Sequence, residues 1–483
     1  MLDVAVIGTG VTGCSVAYYL ARYDLKVLLL DRHTDICEGT SKSNTAIVHA
    51  GHDAHPGTEK CRYNLEGNAM FDELCEVLEV PFRRNGILAV AQKNQHDELQ
   101  KLYEQGKFNR VPGIEIVQGR RLHEMSPNLT DMVDRAIYLP SGGIVSPYEL
   151  TIAMCENAVL NGAELALDTT VTMVQKTGDH FTICTTNGDY TARCVVNCAG
   201  VYADVIHNMI SDQHISIDPR KGEYLIMDKT HGGDFDISIC PLPIKKASGH
   251  TKGVWIAPTV SGNLLLGPTA VDQEDKEDTS NTQQGFAEIL EKTTMLWPGL
   301  VKADIISSFA GLRAHCSTDD FIIGELKDCP GFFDCAGIAS PGLTSAPAIG
   351  KKLAGDIAQR LSAQKRKYIS GRDYKGLPFR YMSDDEKSLA IQQDPAYGRI
   401  VCRCEHVTEA EVRRSIRCAA GATTLDGVKR RTRAGMGRCQ SGFCCTRVMQ
   451  ILHEELGVPM SEITKYGEGS QLITGLIWGG EAQ

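Results

Sequence analysis

The sequence contains no apolar run approaching the roughly 18 residues that a membrane-spanning helix needs. It also lacks the charged and apolar regions of a signal peptide, since Met1-Leu2-Asp3 leads straight into the strand-like run Val4-Ala5-Val6-Ile7. The expected location is therefore cytoplasmic, with a peripheral seat on the cytoplasmic membrane face through a partner left open. Internal repeats and low-complexity segments are missing too, so neither a repeat array nor a biased tail is expected. With 42% hydrophobic and 23% charged residues over 483 positions, the composition fits a globular protein with a sizeable core and two or three domains. Cysteine, by contrast, is plentiful. Eighteen thiols in a reducing compartment point to ligands rather than disulfides. Cys14, Cys61, Cys75, Cys155 and Cys198 fall in apolar stretches and read as small core residues.

Four other thiols form a set near the end of the chain: Cys402-Arg403-Cys404 and, 34 intervening residues later, Cys439-Gln440-Ser441-Gly442-Phe443-Cys444. Four thiolates suit an iron–sulfur cluster or a tetrahedral zinc ion. Zinc sites usually space paired ligands by two to four residues, and Cys-x-Cys is less typical of them, which favours iron–sulfur. Cys445 directly follows Cys444 and is a substitute for the fourth ligand. Charge points the same way. The chain carries a net −10, yet residues 399 to 450 hold eleven Lys/Arg against four Asp/Glu, a local +7 that leaves −17 for the rest. A [2Fe-2S] centre on four thiolates carries two negative charges and gains a third on reduction, so nearby cations would stabilise it. Nucleic-acid binding is the competing reading of Lys429-Arg430-Arg431-Thr432-Arg433. Phe443 is the only aromatic in the segment, however, and offers no stacking platform, so no nucleic-acid partner is expected. A plain solvated basic face is the third reading.

The chain opens with a β-α-β pattern: a buried strand Val4–Ile7, a glycine turn, a helix from Ser15 to Arg22 and a strand Lys26–Leu30. Helical periodicity runs from Arg62 to Glu79 and again from Thr279 to Leu296. Short strands dominate from Ala163 to Val196 and from Glu223 to Leu266, which predicts an antiparallel sheet beside the first domain. Phe333 to Leu361 reads as strand, glycine turn and helix, with Ser345 as cap and Pro347 just inside the first turn. Charged, irregular sequence around residues 362 to 397 reads as a linker. Beyond it, Thr408 and Glu411 form a capping box for a helix Glu409–Arg417, and a second helix is predicted from Arg447 to Leu456.

Gly8-Thr9-Gly10-Val11-Thr12-Gly13 lies between strand and helix, and Asp31 closes the next strand. Glycines there allow a tight turn, close approach of backbone to a pyrophosphate and close packing of helix on strand. The helix N-terminus offers amides to phosphates, and Asp31 can accept from a ribose hydroxyl. A glycine turn used only for packing is the alternative. FAD and NAD are not distinguished at this point.

Three later motifs distinguish them by resemblance. Gly39-Thr40-Ser41-Lys42-Ser43-Asn44-Thr45-Ala46-Ile47-Val48-His49-Ala50-Gly51-His52, Val195-Val196-Asn197-Cys198-Ala199-Gly200-Val201-Tyr202-Ala203-Asp204 and Gly337-Ile338-Ala339-Ser340-Pro341-Gly342-Leu343-Thr344-Ser345-Ala346-Pro347-Ala348 occur in this order. Together with Gly311-Leu312-Arg313 they resemble the D-amino-acid-oxidase-like superfamily of FAD enzymes over about residues 1 to 360. The likeness is closest to the branch of anaerobic glycerol-3-phosphate dehydrogenases and L-2-hydroxyglutarate oxidases. The thiol segment resembles the bacterioferritin-associated-ferredoxin-like [2Fe-2S] domain, with Val428 to Arg438 similar to the loop before its second cysteine pair.

The resemblance implies an α/β (α+β) fold: a Rossmann-like FAD-binding domain carrying an inserted antiparallel-sheet substrate domain, then a small helical cluster domain. Its boundaries would be residues 1–365 for the oxidoreductase domain, with FAD-binding parts at about 1–80, 145–215 and 305–365 and substrate-domain parts at about 81–144 and 216–304. Residues 366–398 would be linker, 399–455 the [2Fe-2S] domain and 456–483 a tail. Implied FAD contacts are Gly8, Gly10, Thr12, Gly13, Asp31, Arg32, Thr40, Ser41, Asn44, Thr45, Ala199, Gly200, Gly311, Pro341, Gly342, Leu343 and Thr344. Implied cluster ligands are Cys402, Cys404, Cys439 and Cys444.

A small anionic substrate with a CH–OH group needs a fixed cation and a base. The resemblance implies Arg313, which the family places near the flavin, as that cation, His49 or His52 as the base, and Lys221 and Tyr224 as further substrate contacts. The expected activity is a dehydrogenase acting on glycerol 3-phosphate, with a 2-hydroxyacid such as L-2-hydroxyglutarate as the alternative. Electrons would leave through the cluster to a second flavoprotein or other acceptor subunit. In a third reading the thiol module is a zinc-bound docking element without redox role.

Overall fold

The first strand, Leu2–Ile7, is buried along its last four residues and leads into the helix Val11–Leu20. It lies parallel between Val27–Leu30 and Tyr190–Asn197. Glu164–Ala166 extends the parallel array on one side and Phe332–Ala336 on the other. Near-continuous apolar runs such as Val27-Leu28-Leu29-Leu30 are what a parallel sheet demands, because helices cover its faces. Val11–Leu20, Pro147–Leu160 and Gly342–Arg360 supply that cover, joining the strands in one core. The glycine turn therefore sits at the carboxyl end of a parallel sheet, where doubly wound folds bind ligands. The computed structural model describes all residues except 243, 247, 248, 252, 372–376 and 476–483, and gives only the backbone course of 244–246 and 249–251.

Of the two strand-rich stretches, only the second builds the separate sheet. Val171–Thr177 and His180–Thr185 instead join Tyr190–Asn197 as an antiparallel extension of the first. The second sheet runs through Val271–Asp272, Ile217–Met227, Leu264–Gly267, Trp255–Pro258, Ser238–Pro241, Ile87–Gln92, Val133–Leu139 and Glu115–Gln118, with Ile305–Cys316 paired to Ile217–Met227. Its ladders are antiparallel except Ser238–Pro241 against Ile87–Gln92. The helix Gln283–Leu296, capped by Thr282, closes one face with Ile289 and Leu296.

Several predicted helices begin or break elsewhere. The first starts at Val11, not Ser15, because the glycine turn itself closes the first helical turn. The helix expected from Arg62 to Glu79 is two, Glu59–Asn68 and Phe71–Val77. Arg84 takes the carbonyl of Asn68 at 2.7 Å and so helps end the first. Ser345 is not a cap. The helix runs Gly342–Arg360 after Pro341, and Ser345 Oγ bonds back to the Pro341 carbonyl inside the first turn.

The C-terminal region has its own small core, in which Cys402, Cys444, Val407, Val412, Val428 and Leu452 meet. The capping box at Thr408 and Glu411 forms as predicted and opens Glu409–Arg417. A helix over Leu425–Thr432 occupies the segment read as a loop, and the last long helix is Cys445–Leu456. The expected linker contains a helix too, Asp384–Gln393, and Phe379 N–H donates to Glu411 Oε1 at 3.1 Å. Its residues 372–376 lie outside the described part, as does the end of the expected tail, 476–483. The tail's described portion packs back, with Thr464 O accepting from Leu425 N–H at 3.1 Å. Among the described residues no helix is long and apolar enough to cross a membrane.

Candidate active site and cluster site

A cavity of about 820 Å³ runs from the glycine turn to the loop Ser340–Leu343, near the top of the roughly 300–1,000 Å³ range of cofactor pockets. Gly8, Gly10, Thr12, Asp31, Arg32, Thr40, Ser41, Asn44, Thr45, Ala199, Gly200, Pro341, Gly342 and Leu343 all line it. Gly8 has φ of 104°, and a Cβ there would lie 2.3 Å from the Cys198 carbonyl oxygen, so the turn is one that only glycine makes without strain. Asp31 is held firmly at this end. Its Oδ2 accepts from the Thr9 amide and hydroxyl, both at 2.7 Å, and its Oδ1 meets His33 Nδ1 at 2.8 Å. Burial alone would raise the Asp31 pKa, but the His33 bond and the Thr9 amide bring it below the ordinary carboxylate value. Arg32 lies 4.4 Å over the Tyr202 ring and pairs with Glu277 at 2.7 Å.

Three implied cofactor contacts support the wall rather than form it. Gly13 packs helix on strand, since a Cβ there would lie 1.9 Å from Gly8 O, and a Cβ at Gly311 would lie 2.1 Å from Ser43 O. Thr344 faces away from the cavity and accepts the His49 amide on Oγ1 at 2.9 Å.

At the far end His49 is fixed from several sides. Asn64 and Asn68 donate to its carbonyl at 2.8 and 2.9 Å, and Trp255 stands edge-on to its ring at 5.6 Å. Its Nε2 lies 3.4 Å from Ser340 Oγ in the loop before the long helix. His52 does not reach the cavity. The chain turns at Gly51, and His52 packs beside Gly106 of the helix His96–Phe108 while its carbonyl accepts from Gln105.

Arg313 lines the cavity and donates from Nη2 to Thr269 O at 3.0 Å. Gly222, on the neighbouring strand, makes room for it: a Cβ there would lie 2.2 Å from Arg313 Nη2. Tyr224 lines the same wall and stacks on Phe309 at 4.8 Å. Lys221 does not. Side chains alternate along a strand, so with Gly222 and Tyr224 facing the cavity, Lys221 points to the other side and pairs with Asp278 at 2.7 Å.

Its neighbour Arg220 takes the cavity position, directly across the strand pair from Arg313. Sequence reading passed over it, although counting back by twos from Tyr224 reaches it. His315 and Lys60 add further positive or ionisable groups to this wall. Burial, with Arg220 nearby, pushes His315 below its ordinary pKa. Arg220 and Lys60 pair with Asp272 and Asp319, whereas no carboxylate pairs with Arg313 among the described residues.

The four C-terminal thiols form two pairs. Cys404 and Cys439 lie 3.6 Å apart at the surface. Cys402 and Cys444 are buried, at 2% and 3% exposure, and share a thiol hydrogen bond. The bond with Cys444, together with the Gly435 and Glu405 amides, pushes the Cys402 pKa down. Two thiols per metal suit a dinuclear cluster. Cys445 opens the following helix and takes no part in either pair.

The basic run Lys429–Arg433 is not the plain solvated face of the third reading. Arg430 and Arg433 are buried, and Arg433 Nε donates to Glu405 at 2.8 Å. Arg430 and Arg431 do reach the flavin-binding part of the chain, where both pair with Asp35.

The model of the FAD dependent oxidoreductase family matches residues 3–355. The chain belongs to that family. A second match, to the BFD-like [2Fe-2S] binding domain, covers residues 400–454 and spans all four thiols. FAD and a [2Fe-2S] cluster are thus the cofactors, and the glycine cradle and paired thiols fit them. The family member "Glycerol 3-phosphate dehydrogenase" of Caloramator mitchellensis is 46% identical over 98% of both chains. The structure of L-alpha-glycerophosphate oxidase from Mycoplasma pneumoniae with FAD bound is 26% identical, covers 78% of this chain and 99% of its own, and has a TM-score of 0.72. L-2-hydroxyglutarate dehydrogenases are more distant; that of Indibacter alkaliphilus is 26% identical over 62% of this chain and 75% of its own. This FAD dependent oxidoreductase therefore joins a flavin cavity to a cluster module within one chain.

Proposed function

We infer that the protein oxidises the secondary alcohol of glycerol 3-phosphate to dihydroxyacetone phosphate and passes the electrons through its cluster to a partner. The observation that carries this reading is that Arg313, with no carboxylate partner among the described residues, lines the same cavity as His49. A phosphate dianion matches the cross-strand pair Arg313 and Arg220, and a planar guanidinium can bind two of its oxygens at once. The 46% identity to a glycerol 3-phosphate dehydrogenase supports the same choice over a 2-hydroxyacid.

FAD supplies the two-electron acceptor for hydride and the cluster a one-electron outlet. His49 Nε2 takes the proton of the C2 hydroxyl as the C–H bond gives up its hydride. Trp255 and Ser340 hold the imidazole at the angle this requires, and the Asn64 and Asn68 bonds keep its backbone still. Tyr224, stacked on Phe309, forms an apolar side to the site that excludes water. The acceptor in this reading is a second flavoprotein or other electron-accepting subunit, and the enzyme works in the cytoplasm, reaching a membrane only through that partner.

Anaerobic mixing with each substrate tests the choice. Glycerol 3-phosphate is expected to bleach the flavin within turnover time and L-2-hydroxyglutarate to leave it oxidised. Bleaching by the hydroxyacid alone would sink the reading.

A further inference from the structure

We propose that the cluster module completes the FAD site: Arg430 and Arg431 clamp Asp35 and Glu38 of the cofactor-lining segment 31–44, so that FAD affinity depends on the module being docked. This rests on the cavity as the FAD site and not on the identity of the substrate.

Asp35 is held by two arginines at once. Arg431 reaches it in bidentate fashion, Nη1 to Oδ2 at 2.7 Å and Nη2 to Oδ1 at 2.8 Å, while Arg430 Nη2 meets Oδ2 at 2.7 Å and also bonds Glu38. None of these four side chains is more than 5% exposed. Gly427, on the same helix, lets the carboxylate sit directly against it, since a Cβ there would lie 2.8 Å from Asp35 Oδ2. Among the described residues, every cation paired with Asp35 comes from the C-terminal module; Lys42 shares only Glu38. A buried carboxylate that loses its partner is strongly destabilising, and the least costly relief is for the segment to move until the charge reaches water.

That movement would reach the cofactor wall. Asp31, Arg32, His33, Thr40 and Ser41, on either side of the clamped residues, line the cavity. The Cys37 amide donates to Thr9 O at 3.1 Å and the Val11 amide to Ser41 Oγ at 2.8 Å, so the segment and the glycine turn shift together. Cys37 itself holds φ of 63°, a conformation L residues rarely adopt and one that its surroundings must maintain. On the module's side, Val428 of the same helix packs with Cys402 and Cys444. The clamp thus ties the FAD wall to the core that carries the buried thiol pair. Linkage makes the effect mutual, with bound FAD strengthening docking as much as docking strengthens FAD binding.

The test is the FAD dissociation constant of the full chain, followed by flavin fluorescence. Arg430→Gln combined with Arg431→Gln is expected to raise it about tenfold or more, within the usual range of coupling between sites, while the cluster's visible circular dichroism persists. Adding Asp35→Asn removes the stranded charge and is expected to restore most of the affinity. An unchanged constant in the double variant overturns the proposal, as does a loss that Asp35→Asn fails to reverse. Should the double variant not fold, hydrogen exchange in the wild-type protein gives a second measurement. Amides of 425–434 are expected to exchange more slowly with FAD bound than without, and equal rates overturn the proposal.

Discussion

The flavin-binding part and the cluster module build their sites by different means. The cavity is built on backbone features: a glycine turn at the end of a parallel sheet and a loop before a long helix, over an extensive apolar core. In the module four thiols on a small core carry the site, and charge pairing supports the rest. Glu409 alone meets Arg399, Arg413 and Arg447, and Arg413 goes on to Glu454 and Glu455. A short chain buries too little apolar surface to rely on it, so ion pairs and metal ligation make up the difference. The contrast teaches that single side chains should have graded effects in the first part and all-or-none effects in the second.

The sharpest check lies in the thiols. Cys402→Ser and Cys444→Ser are each expected to abolish the cluster's visible absorption and its reduced-state paramagnetic signal, whereas Cys445→Ser leaves both. Retention in Cys444→Ser with loss in Cys445→Ser would reverse the ligand assignment. In the flavin part, His49→Gln is expected to lower kcat by about 10² to 10⁴ while FAD stays bound. A change of less than a few fold would remove His49 as the base. Arg313→Ala should cost kcat/KM about 100-fold, the scale of a lost guanidinium–anion contact. Lys221→Ala, on the opposite strand face, should leave KM nearly unchanged, and a rise as large as that of Arg313→Ala would mean that the strand alternation has been misread.

The smallest expected effects are on pH, and they have opposite signs in the two parts. Glu409 is held down to about 2, first by its Arg399 bond and then by Arg447 and Arg413, against burial. Its contribution to stability is full above the unfolded carboxyl value near 4.5 and is lost as pH falls from there through about 2. In the flavin part His207 donates to Asp334 at 2.6 Å and to Gln213 O at 2.7 Å. The Asp334 bond raises its pKa against burial. Its contribution is therefore complete below the unfolded value of 6.5 and fades as pH climbs through the higher folded one. Unfolding followed by cluster dichroism should steepen in acid and flatten in Glu409→Gln; unfolding followed by flavin fluorescence should weaken at alkaline pH and flatten in His207→Gln. Wild-type curves with the same slopes as these variants would dissolve the contrast.

Local pattern made much of this legible. The β-α-β opening, the acid closing its second strand and the Thr408–Glu411 capping box are short-range features, and each is present, although the opening helix starts at Val11 and not Ser15. The Cys402-x-Cys404 and Cys439…Cys444 spacing likewise marked the thiols that the fold pairs. Two site residues went astray for a geometric reason. Lys221 and His52 stand one and three positions from Arg220 and His49, respectively, and a strand or a glycine turn can reverse a side chain's direction within such a distance. The helix Leu425–Thr432 was missed because its sequence is charged and short, and its buried arginines read as surface until their carboxylate partners are seen.

Sequence alone thus determined the opening β-α-β unit, the glycine cradle and the spacing of the four thiols, because these depend on residues near one another in the chain. Tertiary structure decided which cations face the cavity, that Cys444 rather than Cys445 pairs with Cys402, and that Arg430 and Arg431 reach Asp35 and Glu38 across nearly 400 positions. Buried charge is placed by its partner, and no local pattern reveals a partner so far away.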